Sequence, residues 1–288
     1  LKRSFLFLSG SEAKKHVSGA ILFIAVGSIA ILSILTLGVT SSVLQELRLA
    51  KTVTEANTSF YSAYSVLSAM NVIWANDATP AVITLYDLRE RQISFGSISA
   101  QVTFSDEEAK INVKTAFRAV LLRLPGMAGQ ESLADKIVAV RVSAKEELLL
   151  VEGMTQEIYN GIKDSITAFG AGAININTSP KDSFLALGMR DALITPIFDF
   201  RNGPDGKEGT EDDRVFASTS EIIAALASYG LTPEQQERLE DMISNGKLGV
   251  TSDHIRVDIV LKKAGKAFRS FQIVTKLSTG GIVSWTEQ

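Results

Sequence analysis

Hydrophobic and polar positions divide the chain into stretches of different period. From Val17 to Gln45 no Lys, Arg, Asp or Glu occurs in 29 residues, and most side chains are Ile, Leu, Val, Ala or Phe. A bilayer core needs roughly 20 apolar residues in helical form, so the run from Ala20 to Val39 is long enough to cross one. Beyond it, Leu49, Val53, Ala56, Phe60, Ala63, Leu67, Met70 and Trp74 recur at alternating spacings of 4 and 3. That is the stripe of an amphipathic helix. No proline interrupts the pattern before Pro80, which follows the turn-like "NDAT". The spacing therefore predicts one helix from Ala20 to about Trp74, on the order of 80 Å long at the usual rise per residue. Its first half is apolar all round, and its second half has one face that must pack.

The period then changes to two. Ile93, Phe95, Ile98, Ala100, Val102 and Phe104 alternate around a turn or bulge at Gly96 and predict one or two strands. Strands are also predicted at Asp253–Leu261, Arg269–Leu277 and Ile282–Trp285, joined by turns at "KKAGK" and "STGG". Between these groups, from about Ala116 to Gly246, the spacing is helical. Strands at both ends with helices between them predict an α+β fold, in which a helical subdomain (residues 105–250) is inserted into an antiparallel sheet. The flanking parts are residues 43–104 and 251–288.

The helical region looks duplicated, about 111–168 and 176–245. "INVKTAFRAVLLRLPGM" followed by "ADKIVAVR" has a counterpart in "INTSPKDSFLALGM" followed by "LITPIFDFR". Thr115, Ser143, Ser179 and Ser220 are candidate caps or near-caps of the helices that follow them. Gly126, Gly153, Gly188 and Gly230 fall at breaks between helical patterns, as short helix–turn–helix connections require. Such repeats resemble helix-hairpin-helix or SAM-like modules, including those of membrane-anchored DNA receptors. Charge separates a DNA-binding role from a packing role. Residues 105–250 hold 15 Lys+Arg against 23 Asp+Glu, a net of −8, whereas DNA binding depends on neutralising phosphates. No nucleic-acid partner is expected.

Composition removes other functions. The 288 residues contain no cysteine and two histidines, so neither a disulfide framework nor a thiolate metal site can be built. His16 stands before the apolar run and His254 at the start of a strand, neither with a partner at zinc-ligand spacing. "GPDGKEG" is glycine-rich, but it follows no strand and lacks the Lys-Ser/Thr ending of a phosphate loop. No catalytic residue and no enzyme activity is expected. The loop "DFRNGPDGKEGTEDDRVF" is the one candidate ion site. Asp205, Glu208, Glu211, Asp212 and Asp213 lie within nine residues, interleaved with glycines and Thr210. Calcium takes 6–8 oxygens in flexible geometry. The spacing is not that of an EF-hand, and a solvated acidic loop remains the alternative.

Lys2, Arg3, Lys14 and Lys15 precede the apolar run, which sets the N-terminus on the cytoplasmic side. The small residues Ser18-Gly19 lie before the run, whereas a secretory signal carries its cleavage site after a shorter apolar core. A cut between Gly19 and Ala20 would remove the basic leader and keep the helix. This resembles the class III leader that prepilin peptidase cleaves in type IV pilins and pseudopilins; an uncut single-pass anchor is the alternative. Residues 20–288 would carry 25 basic and 31 acidic side chains. Counting from Ala20, the fifth residue is Ile24, where pilin-like proteins usually have a glutamate that neutralises a neighbour's new amine. A carboxylate in a membrane is tolerable only with a cationic partner. A subunit with nothing above it does better with an apolar residue there.

Taken in order, "SGAILFIAV" without an acidic fifth residue, "FSDEEAKINVKT", "LLRLPGM", "ININTSP", "VFASTSEI" and the closing "IVSWTE" resemble the general secretion pathway protein K family. That family is the tip minor pseudopilin of the type II secretion system, and the resemblance covers the chain from Val17 onward. It implies a pilin-like sheet with a large helical insertion, an inner-membrane anchor and a periplasmic domain. It further implies prepilin-type processing with methylation, and a tip complex with the I and J minor pseudopilins above the major pseudopilin filament. It also implies calcium bound in the helical domain, for which Asp205, Asp212 and Asp213 are the preferred ligands, with Glu208 and the Thr210 carbonyl beside them. A minor pilin of a type IV pilus is the alternative within the same class.

Overall fold

The computed structural model describes residues 11–76 and 82–288, with side chains from Gly19 onward apart from that of Ala75. The first ten residues of the expected leader, with Lys2 and Arg3, lie outside the described residues, as do the side chains of Lys14, Lys15 and His16 and most of the expected "NDATP" turn. Helix α1 (Ser11–Ala75) is continuous over 65 residues. Its part through Phe60 belongs to one compact unit, and the chain from Tyr61 onward forms a second.

In the first unit the apolar side chains are exposed, from Ile21 through Val39 and on to Leu49, Val53 and Phe60. In the second, Ala63, Val66, Leu67, Met70 and Trp74 are buried. The buried stripe thus starts at Ala63 rather than Leu49, and it includes Val66, which the 4-3 spacing passes over. A repeat of 3 and 4 marks one helix face without saying how much of it is covered.

Strands β1 (Arg91–Phe95) and β2 (Ile98–Asp106) form a hairpin with Phe95 opposite Ile98. A 3-10 turn at Glu107–Ala109 follows, and the helical segment begins. Its first half runs through β3 (Ile111–Asn112), α2 (Arg118–Leu121), α3 (Glu131–Ala139), α4 (Gln156–Ile162) and β4 (Ile166–Thr167). Its second half runs through β5 (Ile174–Asn175), α5 (Lys181–Ala186), α6 (Asp191–Arg201), α7 (Ile222–Leu226), α8 (Pro233–Ser244) and β6 (Leu248–Gly249). Each half is closed by a two-residue parallel bridge, β3 to β4 and β5 to β6. Asn112 and Asn175 occupy matching places in these bridges. The side-chain oxygen of each accepts from the amide two residues on, that of Lys114 and of Asn177. Each residue's own carbonyl accepts from the amide four residues on, that of Ala116 and of Ser179.

The capping chemistry differs from the expectation. Thr115 and Ser179 turn their hydroxyls back to the carbonyls of Asn112 and Asn175, and the N-cap positions of α2 and α5 are Phe117 and Pro180, which give no side-chain cap. Among α2 to α8, side-chain caps occur at α4, where Thr155 accepts from the Ile158 amide, and at α8, where Thr232 and Gln235 form a reciprocal capping box. Gln235 does more. Pro196 inside α6 has no N–H to give the Ala192 carbonyl four residues back, and Gln235 Nε2 donates to that oxygen at 3.0 Å.

Strands β7 (His254–Lys263), β8 (Lys266–Lys276) and β9 (Gly281–Glu287) complete an antiparallel sheet of order β1-β2-β7-β8-β9. β2 and β7 are direct neighbours, with Asp106 opposite Ile255. The helical segment therefore leaves and re-enters the sheet at one end of a single strand pair, so its length puts no strain on the register. Ile255, Val257, Ile259 and Leu261 are fully buried at every second position of β7, the period of a strand with one covered face. They pack with Ala63, Leu67, Met70 and Trp74 of α1 and with Phe271 and Ile273 of β8. The helical segment has a separate core around Leu121, Met127, Ile137, Phe184, Ile197 and Phe216.

Candidate functional site

Helix α1 is long and apolar enough to cross a membrane, the one such helix among the described residues. Gly19, Ala20 and Ile24 lie on its exposed surface, and nothing stands within 4 Å of the place a Cβ on Gly19 would occupy. Ile24 is 67% exposed, as a side chain facing lipid or a partner helix must be. Two hydroxyls within the apolar run are internally satisfied. Ser33 Oγ donates to the Ile29 carbonyl and Thr36 Oγ1 to that of Leu32, both at 2.8 Å, so neither needs water.

Where the helical segment leaves the sheet, three acidic residues in a row form the junction. Asp106 is buried and accepts from Ser252, Thr178, the Asn175 amide group and the Glu108 backbone amide. Burial raises its carboxyl above the usual range, against the pull of these donors. Glu107 is fully buried, with Lys110 Nζ and Arg256 Nη2 each 2.7 Å from Oε1 and the Thr167 hydroxyl on Oε2. Burial pushes this carboxyl up, but the Lys110 and Arg256 charges together with the donated hydrogen bonds outweigh it and hold the group low. Glu108 accepts from the Asp253 amide and meets His254 Nδ1 at 2.9 Å. Lys145 is nearly enclosed as well, its Nζ on the Lys163 carbonyl at 2.5 Å, and burial with the nearby Arg256 and Lys110 pulls it down to about 8. One turn thereby ties β2 and β7 to both halves of the helical segment.

The acidic loop follows α6. Arg201, at the end of that helix, is buried and donates to the Ile176 and Ser179 carbonyls while Nη2 meets Glu208 at 3.3 Å. Gly203, with φ +61°, lets the loop close on itself, since a Cβ there would meet the Asp212 carbonyl oxygen at 2.2 Å. Asp212 Oδ2 accepts from the Asp205 amide, and Asp213 accepts from the amides of Gly209 and Thr210. Three oxygens surround the Thr210 hydroxyl: Asp212 Oδ1 at 2.8 Å, Asp205 Oδ1 at 3.3 Å and the Lys207 carbonyl at 3.2 Å. The structure thus brings Asp205, Asp212 and the Thr210 hydroxyl together, engages Asp213 with backbone amides and turns Glu208 to Arg201. The Thr210 carbonyl, the expected ligand, accepts from the Asp213 amide at 3.1 Å. Among the described residues no three His, Asp or Glu side chains stand close enough to hold a metal by themselves. The hydrogen bonds from Thr210 and the Asp205 amide hold the Asp212 carboxyl below its usual range.

The junction residues Asp106, Glu107, Asn175, Thr178, Ser252 and Arg256 do not stand out in the sequence. "SDEEAK" has the composition of a solvated turn, and only the long-range partners reveal its burial.

No family model matches the chain, and no curated protein matches it. Among solved structures it is similar to a chain of the crystal structure of the GspK-GspI-GspJ complex from the enterotoxigenic Escherichia coli Type 2 Secretion System. The TM-score is 0.59 at 15% identity, covering 84% of this chain and 99% of that one. The long N-terminal helix and antiparallel sheet form a pilin-like fold.

Proposed function

We propose that this chain is a minor pseudopilin that caps and initiates the periplasmic pseudopilus of a type II secretion system, acting by assembly and without catalysis. The observation that carries this reading is the fold, which matches essentially the whole length of a chain from a minor pseudopilin complex. Two features of this chain agree with a place at the tip. Ile24 replaces the acidic residue that a subunit buried within a filament would use, and the helical segment adds bulk beyond the sheet. In this reading prepilin peptidase cuts between Gly19 and Ala20, the helix stays in the inner membrane with its start in the cytoplasm, and the folded part faces the periplasm. Intact-mass measurement on the membrane-extracted protein tests the processing step. A chain beginning at Ala20 is expected, and one retaining Leu1 would contradict it.

Calcium belongs to the same reading. The donor set fits a hard cation, because Asp205, Asp212 and the Lys207 carbonyl surround a hydroxyl with a single proton to share. Asn202 Oδ1, at the foot of the loop, is a buried acceptor with no hydrogen-bond partner among the described residues. Calcium would be held by Asp205 and Asp212 with hydroxyl and main-chain oxygens, Asp213 adding a ligand on release of its amides. Glu208 would have to leave Arg201 to join them. Thermal melts with millimolar calcium and then with chelator test the site. A higher midpoint with calcium is expected, and equal midpoints would count against it.

A further inference from the structure

A cleft of about 230 Å³ lies between the two halves of the helical segment. Phe117, Val120 and Leu187 give it an apolar wall, and Phe117 is 69% exposed at its edge. Lys247 is the only charged residue among those lining it. The residue is half-buried, and its side chain makes no ion pair or hydrogen bond among the described residues. A lysine without a counter-ion in the protein leaves its charge to an anionic occupant.

The backbone lining the cleft is free too. The N–H and C=O groups of Ala171 and Gly172 have no hydrogen-bond partner among the described residues. Gly172 adopts φ +106°, and the Thr115 side chain packs against it where a Cβ would stand, with Oγ1 2.3 Å from that place. Unused main-chain donors and acceptors suit a peptide, whereas a free apolar acid has no amide to offer them. The volume is that of about one large side chain, below the range of a drug-sized ligand site.

We propose that this cleft captures the C-terminal residue of a polypeptide, with an apolar side chain against Phe117, Val120 and Leu187 and the terminal carboxylate on Lys247. The preceding peptide groups lie along Ala171 and Gly172. The site stands independently of the assembly role proposed above.

Fluorescence anisotropy tests it with the full chain in detergent and an N-terminally labelled Gly-Ser-Gly-Leu peptide bearing a free carboxylate. Saturable binding is expected, weakened about tenfold or more in the C-terminal amide, because a charge-assisted hydrogen bond is lost. Lys247→Gln should weaken the free acid to a similar extent, and Lys247→Arg should retain binding. Circular dichroism of both variants should match the parent. Equal affinity for acid and amide overturns the role of Lys247, as does unchanged binding by Lys247→Gln. N-acetyl-leucine competing as well as the peptide overturns the peptide in favour of a free acid. Absence of binding at millimolar peptide overturns the site.

Discussion

Arg256 on β7 reaches the fully buried Glu107 carboxylate at 2.7 Å, joining the central strand of the sheet to the turn from which the helical segment departs. Removing one partner of a buried ion pair leaves the other charged and unsatisfied. Glu107→Gln should therefore cost about 3 kcal/mol, measured by urea unfolding at neutral pH. The wild type should also lose this contribution in acid. Because the Glu107 carboxyl is held low in the fold, its stabilisation is present above the ordinary carboxylate range and disappears as pH falls through the folded-state value. In Glu107→Gln that part of the acid dependence should be gone; an unchanged acid profile would contradict the pairing.

Lys145 gives a dependence of the same sign in the alkaline range. Burial pulls it down to about 8 from the ordinary 10.5, so between those values the unfolded chain binds the proton that the folded chain has lost. Stability from this group should rise with pH across that window, by a total on the order of 3 kcal/mol. Lys145→Met should flatten the rise. The comparison is a pair of denaturation series from pH 7.5 to 10.5, and parallel slopes for the two proteins would refute the assignment.

Gln235 links the start of α8 to the proline break in α6. Its Oε1 accepts from the Thr232 amide and its Nε2 donates to the Ala192 carbonyl. Gln235→Ala should cost about 1–2 kcal/mol, combining a lost cap with an unsatisfied carbonyl. Gln235→Glu keeps the first contact and puts an anion against the carbonyl, so it should recover only part of that loss. Full recovery would mean that the Ala192 bond contributes nothing.

The β7–β8 turn holds a correctable defect. Ala264 and Gly265 are its two central residues, both with positive φ, at 50° and 78°. Alanine tolerates this poorly and asparagine tolerates it well. Ala264→Asn should raise stability by about 1 kcal/mol, seen as a higher midpoint with an unchanged denaturant slope.

Gly203 tests the acidic loop. Gly203→Ala drives a Cβ into the Asp212 carbonyl oxygen, so the loop must open and Asp205 and Asp212 must part. Any calcium-dependent rise in melting midpoint should vanish in this variant. A rise equal to that of the parent would place the ion elsewhere.

Most of the frame was legible because its periods are long. The charge-free run ending at Gln45 predicts the helix, and alternation around Phe95 and Ile98 predicts the first hairpin. The final strands fall within three residues of their expected ends. The brackets β3–β4 and β5–β6 were not legible, since two residues have no period. Leu49 and Val53 belong to the apolar repeat yet are exposed, as pattern identifies a face and not its cover. Asp106 and Glu107 were hidden for the converse reason. Charged residues are ordinarily solvated, and the groups that satisfy these two, Arg256 and Ser252 among them, come from the far end of the insertion.

Assembly at the tip is the central claim, and its most direct measurement is complex formation. The full chain in detergent is mixed with the I- and J-type minor pseudopilins of the same cell and analysed by size-exclusion chromatography with light scattering. A single species with the mass of one copy of each is predicted, stable on re-injection. Three separately eluting proteins, under conditions where I and J still bind each other, would contradict it.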